Sequence, residues 1–232
     1  MKQNQGFSLV EIAIVLVILG FLIGNLLQPL AKKVEHDKIK LTQHSLEEIR
    51  QALLGFAVLH GCLPCPVLEA NKTVGKENRT VNIDVCSQQC GSQPVNEGFL
   101  PWLDLGVGKY DAWGNMFRYR VEEKYTDSRL APELTSSLIV VRDTQKENYL
   151  TLQGNTPVVA IIFSYGPDGK NSQLGGQTYI QDGYLENQDD ILTWLSKNTV
   201  NDYLITAGKK NYALTTANNQ WTSDIMNYYL TP

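Results

Sequence analysis

The chain is short of basic charge. Its 20 Lys and Arg stand against 24 Asp and Glu, for a net charge of −4, and no cationic cluster exceeds a Lys-Lys pair. Contacts to a phosphate backbone need a basic face, so nucleic acid is not an expected partner. Histidine is scarcer still: His36, His44 and His60 are the only three. Their spacing does not converge on a metal, and they read as solvated helix surface. No Ser/His/Asp constellation can be assembled, which leaves hydrolytic chemistry without support. Gly106-Val107-Gly108 has neither the preceding strand nor the following helix of a nucleotide loop. Cysteine is absent after residue 90. What remains, 43% hydrophobic and 19% charged residues over 232 positions, is the composition of a folded protein with one large domain or two small ones.

Long apolar runs are also rare, and the single one present lies at the start. Residues 9–30 are apolar apart from Glu11, Asn25 and Gln28, with Gly20, Gly24 and Pro29 as helix irregularities. As a helix this run spans about 33 Å, enough for a hydrocarbon core of about 30 Å. A secretory signal peptide would have a basic leader, an uncharged core and a small-x-small cleavage site. Here the leader carries only Lys2, and residues 24–33 offer no such site. The acid lies inside the apolar part, where a carboxylate costs roughly 2.5–3.5 kcal/mol on insertion scales.

Gly6-Phe7-Ser8-Leu9-Val10-Glu11, followed by the apolar run, resembles the class III leader of type IV pilins and type II secretion pseudopilins. The resemblance implies cleavage by a prepilin peptidase between Gly6 and Phe7 and N-methylation of Phe7. It also implies assembly into a filament through the apolar helix, with an inner-membrane assembly platform and other pilin or pseudopilin subunits as partners. The electrostatics agree: cleavage creates an ammonium at Phe7, one helical turn from Glu11. Glu11 of one subunit can then neutralise Phe7 of its neighbour, and an ion pair in low dielectric penalises any register that leaves either partner alone.

Beyond Pro29 the pattern turns amphipathic. Ile39, Thr42, Leu46, Ile49, Leu53, Phe56 and His60 recur at spacings of three and four, predicting one helix with a core-facing stripe. Gly61 and the Pro64/Pro66 pair end it. Four cysteines follow in two close pairs, Cys62/Cys65 and Cys86/Cys90, which permit three disulfide pairings. Crossed bonds would staple the polar loop 67–85 to the helix end, worth about 3 kcal/mol in the chain-entropy model. A Cys62–Cys65 bond would suit a membrane-anchored thiol oxidoreductase, though no βαβ context follows. A four-thiolate zinc site is the third reading.

Downstream, Gly98-Phe-Leu-Pro-Trp102 reads as an ordered loop with a buried tryptophan. Asp111-Ala-Trp-Gly-Asn115 reads as a turn leading into a strand at 116–121. Ser137–Val141 and Val158–Phe163 are further strands, predicting a minimal antiparallel sheet over the helix stripe. Asp190–Lys197 and Ser223–Tyr229 read as short helices. The loop Ser164–Asn171 and the later acids Asp189 and Asp190 offer oxygens on a glycine-bent chain, as calcium requires. Asp168, Asp189 and Asp190 are the candidate carboxylates, with Ser164 and Asn187 adding neutral oxygens. The bland alternative is a turn at Pro167-Asp168-Gly169 and a helix cap at Asp189 or Asp190. Both the Asp111–Asn115 turn and the Ser164–Asn171 loop resemble segments of the major type II secretion pseudopilin, which implies a Ca2+ site.

The expected fold is α+β and pilin-like, with a long N-terminal helix, half transmembrane, packed on an antiparallel sheet with extended loops. Residues 1–6 form the leader, 7–30 the transmembrane polymerisation helix and 31–232 a periplasmic domain anchored by one pass in a bacterial inner membrane. A structural subunit of a type II secretion pseudopilus or a related type IV filament, not an enzyme, is the expected function. A minor type IV pilin serving initiation, adhesion or DNA uptake is the alternative, and the thiol oxidoreductase is the weaker one.

Overall fold

A computed structural model describes residues 8–79, 90, 97–127, 139–142, 157–169, 178–180 and 190–209, without the side chains of 22–29, Arg142, Thr178 and Ile180. The chain divides into two compact units, Met1–Leu41 and Thr42–Pro232. Helix α1, Leu9–His60, supplies the described part of the first unit and enters the second.

Within the second unit, α1 buries Thr42, Leu46, Ile49, Leu53, Leu54, Phe56 and Ala57. These positions reproduce the apolar stripe, and spacings of three and four put them on one face. Ile39 is only half-buried and His60 is exposed, so the stripe begins at Thr42 and ends at Ala57. Gly61, at φ 86°, terminates the helix in the left-handed region while its N–H still bonds the Ala57 carbonyl at 2.7 Å.

The helix packs on a four-stranded antiparallel sheet in the order β1 (Glu97–Phe99), β2 (Arg118–Val121), β4 (Val158–Ser164), β6 (Ile191–Ser196). Two departures from the sequence reading stand out. The 137–141 strand is realised as β3 (Val140–Arg142), which pairs in parallel with β5 (Thr178–Ile180) to form a separate two-stranded sheet. The expected short helix at 190–197 is instead the edge strand β6, paired from Ile191 opposite Ser164 to Ser196 opposite Val158. Its Ile191, Leu192 and Leu195 are buried, and that burial outweighs the capping signal of the preceding acid. The cap lies further on: the Ser196 hydroxyl accepts from the Thr199 N–H at 3.1 Å and opens α4, Lys197–Thr206.

All seven residues of β4 are buried. Alternation along the strand separates them into two sets. Ile161 and Phe163 join Ile139, Val141, Val158, Tyr179 and Leu192 in one apolar cluster, so the small sheet covers the outer face of the large one. The expected two-layer core is therefore supplemented by this outer cover. The unbroken Val158–Phe163 run, unlike a half-buried strand, carries no polar alternation, and a strand buried on both faces reads that way. Two single-turn helices flank β2: α2 (Trp102–Leu105) before it and α3 (Lys124–Asp127) after it. Trp102 is half-exposed in α2 rather than buried in a loop.

Candidate functional site

Three groups of residues bear on function, and each is built from local chemistry. The first is the start of α1. Ser8 immediately precedes the helix, and its N–H donates to Glu11 Oε2 at 2.9 Å. A serine at the cap with a glutamate three residues later is the capping-box spacing, in which the acid answers an N–H that the helix leaves unpaired. Around and beyond Glu11, Leu9, Val10, Ile12, Ile14 and Phe21 are all exposed, as is the rest of the described run to Phe21. The apolar surface therefore encircles the helix instead of forming a stripe. Residues 9–21 span only about 20 Å at 1.5 Å per residue. Among the described residues no helix is long and apolar enough to cross a membrane. Gly6 and Phe7 lie outside the described residues.

The second group ties two distant segments together. Asp111 is buried, and its Oδ1 accepts from the N–H groups of Trp113 (2.9 Å) and Asn115 (2.8 Å). This is the self-bonding that lets an aspartate close a turn. Its Oδ2 accepts from the Ser164 hydroxyl at 2.5 Å, and that hydroxyl in turn accepts from the Gly166 N–H at 3.0 Å. Asn115 Nδ2 donates to the Gly166 carbonyl at 2.6 Å. The Ala112 N–H donates to Thr42 Oγ1 at 3.2 Å, fixing the turn to the point where α1 enters the second unit. The Asp111–Asn115 turn and the Ser164–Gly166 segment thus form one hydrogen-bonded structure.

The third group surrounds the cysteines. Cys65 is bonded to Cys90, a crossed pairing that takes Cys65 out of a C-x-x-C pair. Cys62 is also disulfide-bonded, and Cys86 lies outside the described residues. A zinc site built on Cys65 and Cys90 is incompatible with that bond. Next to it, Glu77 Oε2 accepts from the Cys65 N–H at 2.9 Å and from Arg79 Nε at 3.0 Å, with the ion-pair side chains only 14% and 7% exposed. Arg79 also donates to the carbonyls of Thr126 (2.8 Å) and Leu63 (3.2 Å). Its fork thereby anchors the loop 72–79 to the 62–66 segment. Tyr119, fully buried, donates to the Pro64 carbonyl at 3.2 Å. Burial pushes its hydroxyl well above the ordinary pKa of 10, with Glu77 adding to the shift and Arg79 opposing it.

Sequence reasoning missed the polar row on the outer face of the sheet. Arg118 and Arg120 alternate along β2 opposite Phe99 and Glu97 of β1, and Tyr179 reaches across from β5 to donate to Glu97 Oε2 at 2.7 Å. Arg120 Nη1 donates to the Tyr179 hydroxyl at 3.3 Å, while Arg118 lies 3.5 Å from Glu97. The i, i+2 spacing of the two arginines reads equally as a solvated face. Only the later strands that cover them distinguish the two cases.

Of the candidate calcium ligands, Asp168 occupies the turn 166–169, and Asp190 is buried just before β6. Gly166 and Gly169 take positive φ of 63° and 65°, as the turn reading expects. Asp189 and Asn187 lie outside the described residues. Among the described residues no group of three or more His, Cys, Asp or Glu side chains converges to hold a metal. His36, His44 and His60 are exposed, with His44 against Glu48 at 3.3 Å and the His60 ring tilted 40° to that of Phe56, centroids 4.2 Å apart.

A long N-terminal helix packed on an antiparallel sheet defines an α+β subunit consistent with a pilin-like fold. Residues 1–24 match the family model for the prokaryotic N-terminal methylation motif. This is the signature of type IV pilins and pseudopilins and marks a subunit processed by prepilin peptidase. No curated protein and no solved structure matches the chain.

Proposed function

We propose that the protein is a structural subunit of a type II secretion pseudopilus or a related type IV filament, held before assembly in the inner membrane with its second unit in the periplasm. The observation that carries this reading is Glu11: a carboxylate at the mouth of an apolar helix, set five positions after the matched motif's glycine and already oriented towards the chain start by Ser8. Gly6 and Phe7 supply the processing bond, the apolar run to Leu30 supplies the membrane anchor, and Glu11 sets subunit register against the Phe7 ammonium of a neighbour. The Cys65–Cys90 bond supports an oxidising compartment. The hydrogen bonds joining Asp111, Asn115, Ser164 and Gly166 favour the pseudopilus branch, since they unite the two segments that resemble it.

Mass spectrometry of protein co-expressed with a prepilin peptidase tests the processing step. The expected product begins at N-methylated Phe7, and Gly6→Ala retains the leader. A terminus at intact Met1 in the presence of active peptidase sinks the reading. Calcium at Asp168, Asp189 and Asp190 is proposed on the resemblance of the loop. A chelator then lowers the melting temperature of the wild type and leaves Asp168→Ala unmoved, whereas equal melting curves with and without chelator remove the ion.

A further inference from the structure

The second unit carries an exposed aromatic and aliphatic patch that the filament reading does not use. Lys109 Nζ lies 5.3 Å from the Trp102 ring centre and 4.7 Å from that of Tyr110. Leu103 and Val74 extend the patch, because the Leu103 N–H bonds the Gly75 carbonyl at 3.0 Å and brings the two segments side by side. Val74, Leu103 and Tyr110 are each about half exposed, at 50%, 47% and 50%. The patch is rigidly built. Trp102 lies so close over Gly75 that a Cβ there would come within 2.0 Å of the indole, and the indole N–H points to the Lys72 carbonyl at 3.4 Å.

Its place in the unit is equally defined. Tyr110 adjoins the Asp111–Asn115 turn, whose Ala112 N–H bonds Thr42, the first residue of the second unit. The patch therefore lies at the end of the unit from which the chain leads back to the apolar run. Tryptophan, tyrosine and lysine with aliphatic neighbours are the side chains that settle at a lipid–water boundary. Their rings and stems enter the headgroup layer while the polar tips stay wet. A chain tethered to a bilayer presents such a patch to lipid at high effective concentration, so even weak contacts are occupied.

We propose that Trp102, Leu103, Lys109 and Tyr110 form a membrane-interface contact that rests the second unit on the lipid headgroups before assembly. The inference rests on the membrane-anchored reading of residues 7–30. A patch this small binds weakly, and leaving the bilayer for a filament releases it.

The test uses full-length protein in phosphatidylcholine vesicles carrying lipids brominated high on the acyl chain, with tryptophan fluorescence as the readout and flotation as the control for anchoring. The wild type is quenched, Trp102→Phe loses most of that quenching and Trp194→Phe keeps it. Because Trp102 also packs on Gly75, Leu103→Ser with Tyr110→Ser is the second variant, and it too loses quenching while its melting curve holds. Vesicles that float with the protein but give the same quenching for wild type and Trp102→Phe overturn the contact alone. Protein that does not float overturns the anchor and the contact together. Wild-type protein that floats unquenched, and whose subunits crosslink to each other through cysteines placed in the patch, assigns the surface to a second copy and overturns the lipid assignment.

Discussion

Glu11 answers two demands that a single side chain rarely meets. One oxygen caps its own helix through the Ser8 N–H, and in the filament proposed above the carboxylate as a whole supplies the charge that pairs with a neighbour's amino terminus. Glu11→Gln keeps an acceptor for Ser8 but removes the charge, whereas Glu11→Val removes both. Helix capping is worth about 0.5–2 kcal/mol, so the two variants separate the roles. Both are expected to lose sedimentable filament, and only Glu11→Val frays the first turn in amide exchange. Filaments from Glu11→Gln at wild-type yield would show that capping, not charge, is the function. Tyrosines 119 and 179 make the second residue-scale case. Burial raises both pKa values, and for Tyr179 donation to Glu97 adds to the shift. Because the folded pKa lies above the unfolded value of 10, their protonated forms stabilise the fold fully below pH 10. That stability is lost as pH rises through 10 towards the folded values, at about 1.4 kcal/mol per pH unit for each tyrosine. Alkaline melting should therefore steepen above pH 10, and Tyr119→Phe should flatten it. Titration of Tyr119 at pH 10 in folded protein, read by absorbance, would contradict its burial.

At the scale of elements, the helix stripe and the crossed disulfide carry stability by different routes. Leu53 is fully buried while Leu41 is 60% exposed. Leu53→Ala is expected to cost about 2–5 kcal/mol, and Leu41→Ala next to nothing, in chemical denaturation of the oxidised protein. The Cys65–Cys90 bond closes 25 residues of chain, worth about 3 kcal/mol through the unfolded state. The Glu77–Arg79 fork bonds the backbone at Cys65 and Leu63 and not the sulfurs, so a Cys65→Ala/Cys90→Ala protein should lose stability but keep its near-ultraviolet spectrum. Much of this was legible beforehand. The stripe, the Gly61 stop, the Asp111–Asn115 turn and the Val158 strand each follow from spacing or from one residue's conformational habit. The hidden part is non-local. Nothing near Arg118 and Arg120 says that a strand sixty residues later will place Tyr179 over them. Asp190-Ile191-Leu192 fits a capped helix until β4 claims the segment as its edge. The disulfide pairing likewise needs geometry, because spacing alone permits three pairings.

For the whole molecule, the two units have opposite surfaces and so opposite solvents. The first exposes Leu, Ile, Val and Phe around a full helix circumference from Leu9 to Phe21, and each such side chain gains about 1.5–3 kcal/mol on leaving water. No monomer keeps that surface wet, so the first unit needs lipid, detergent or neighbouring helices. The second unit holds the buried stripe, both sheets and the Cys65–Cys90 bond within one compact body, and among the described residues the buried core begins at Thr42. A protein comprising residues 32–232, exported to an oxidising compartment, should therefore be soluble without detergent. It should run as a monomer in light scattering and unfold cooperatively, with its disulfides formed. Full-length protein should show the same melting transition once its apolar helix is held in micelles, since the second unit sets it. A truncated protein that aggregates or melts far below the full chain would mean that the apolar helix contributes to folding, and the division between assembly and scaffold would have to be redrawn.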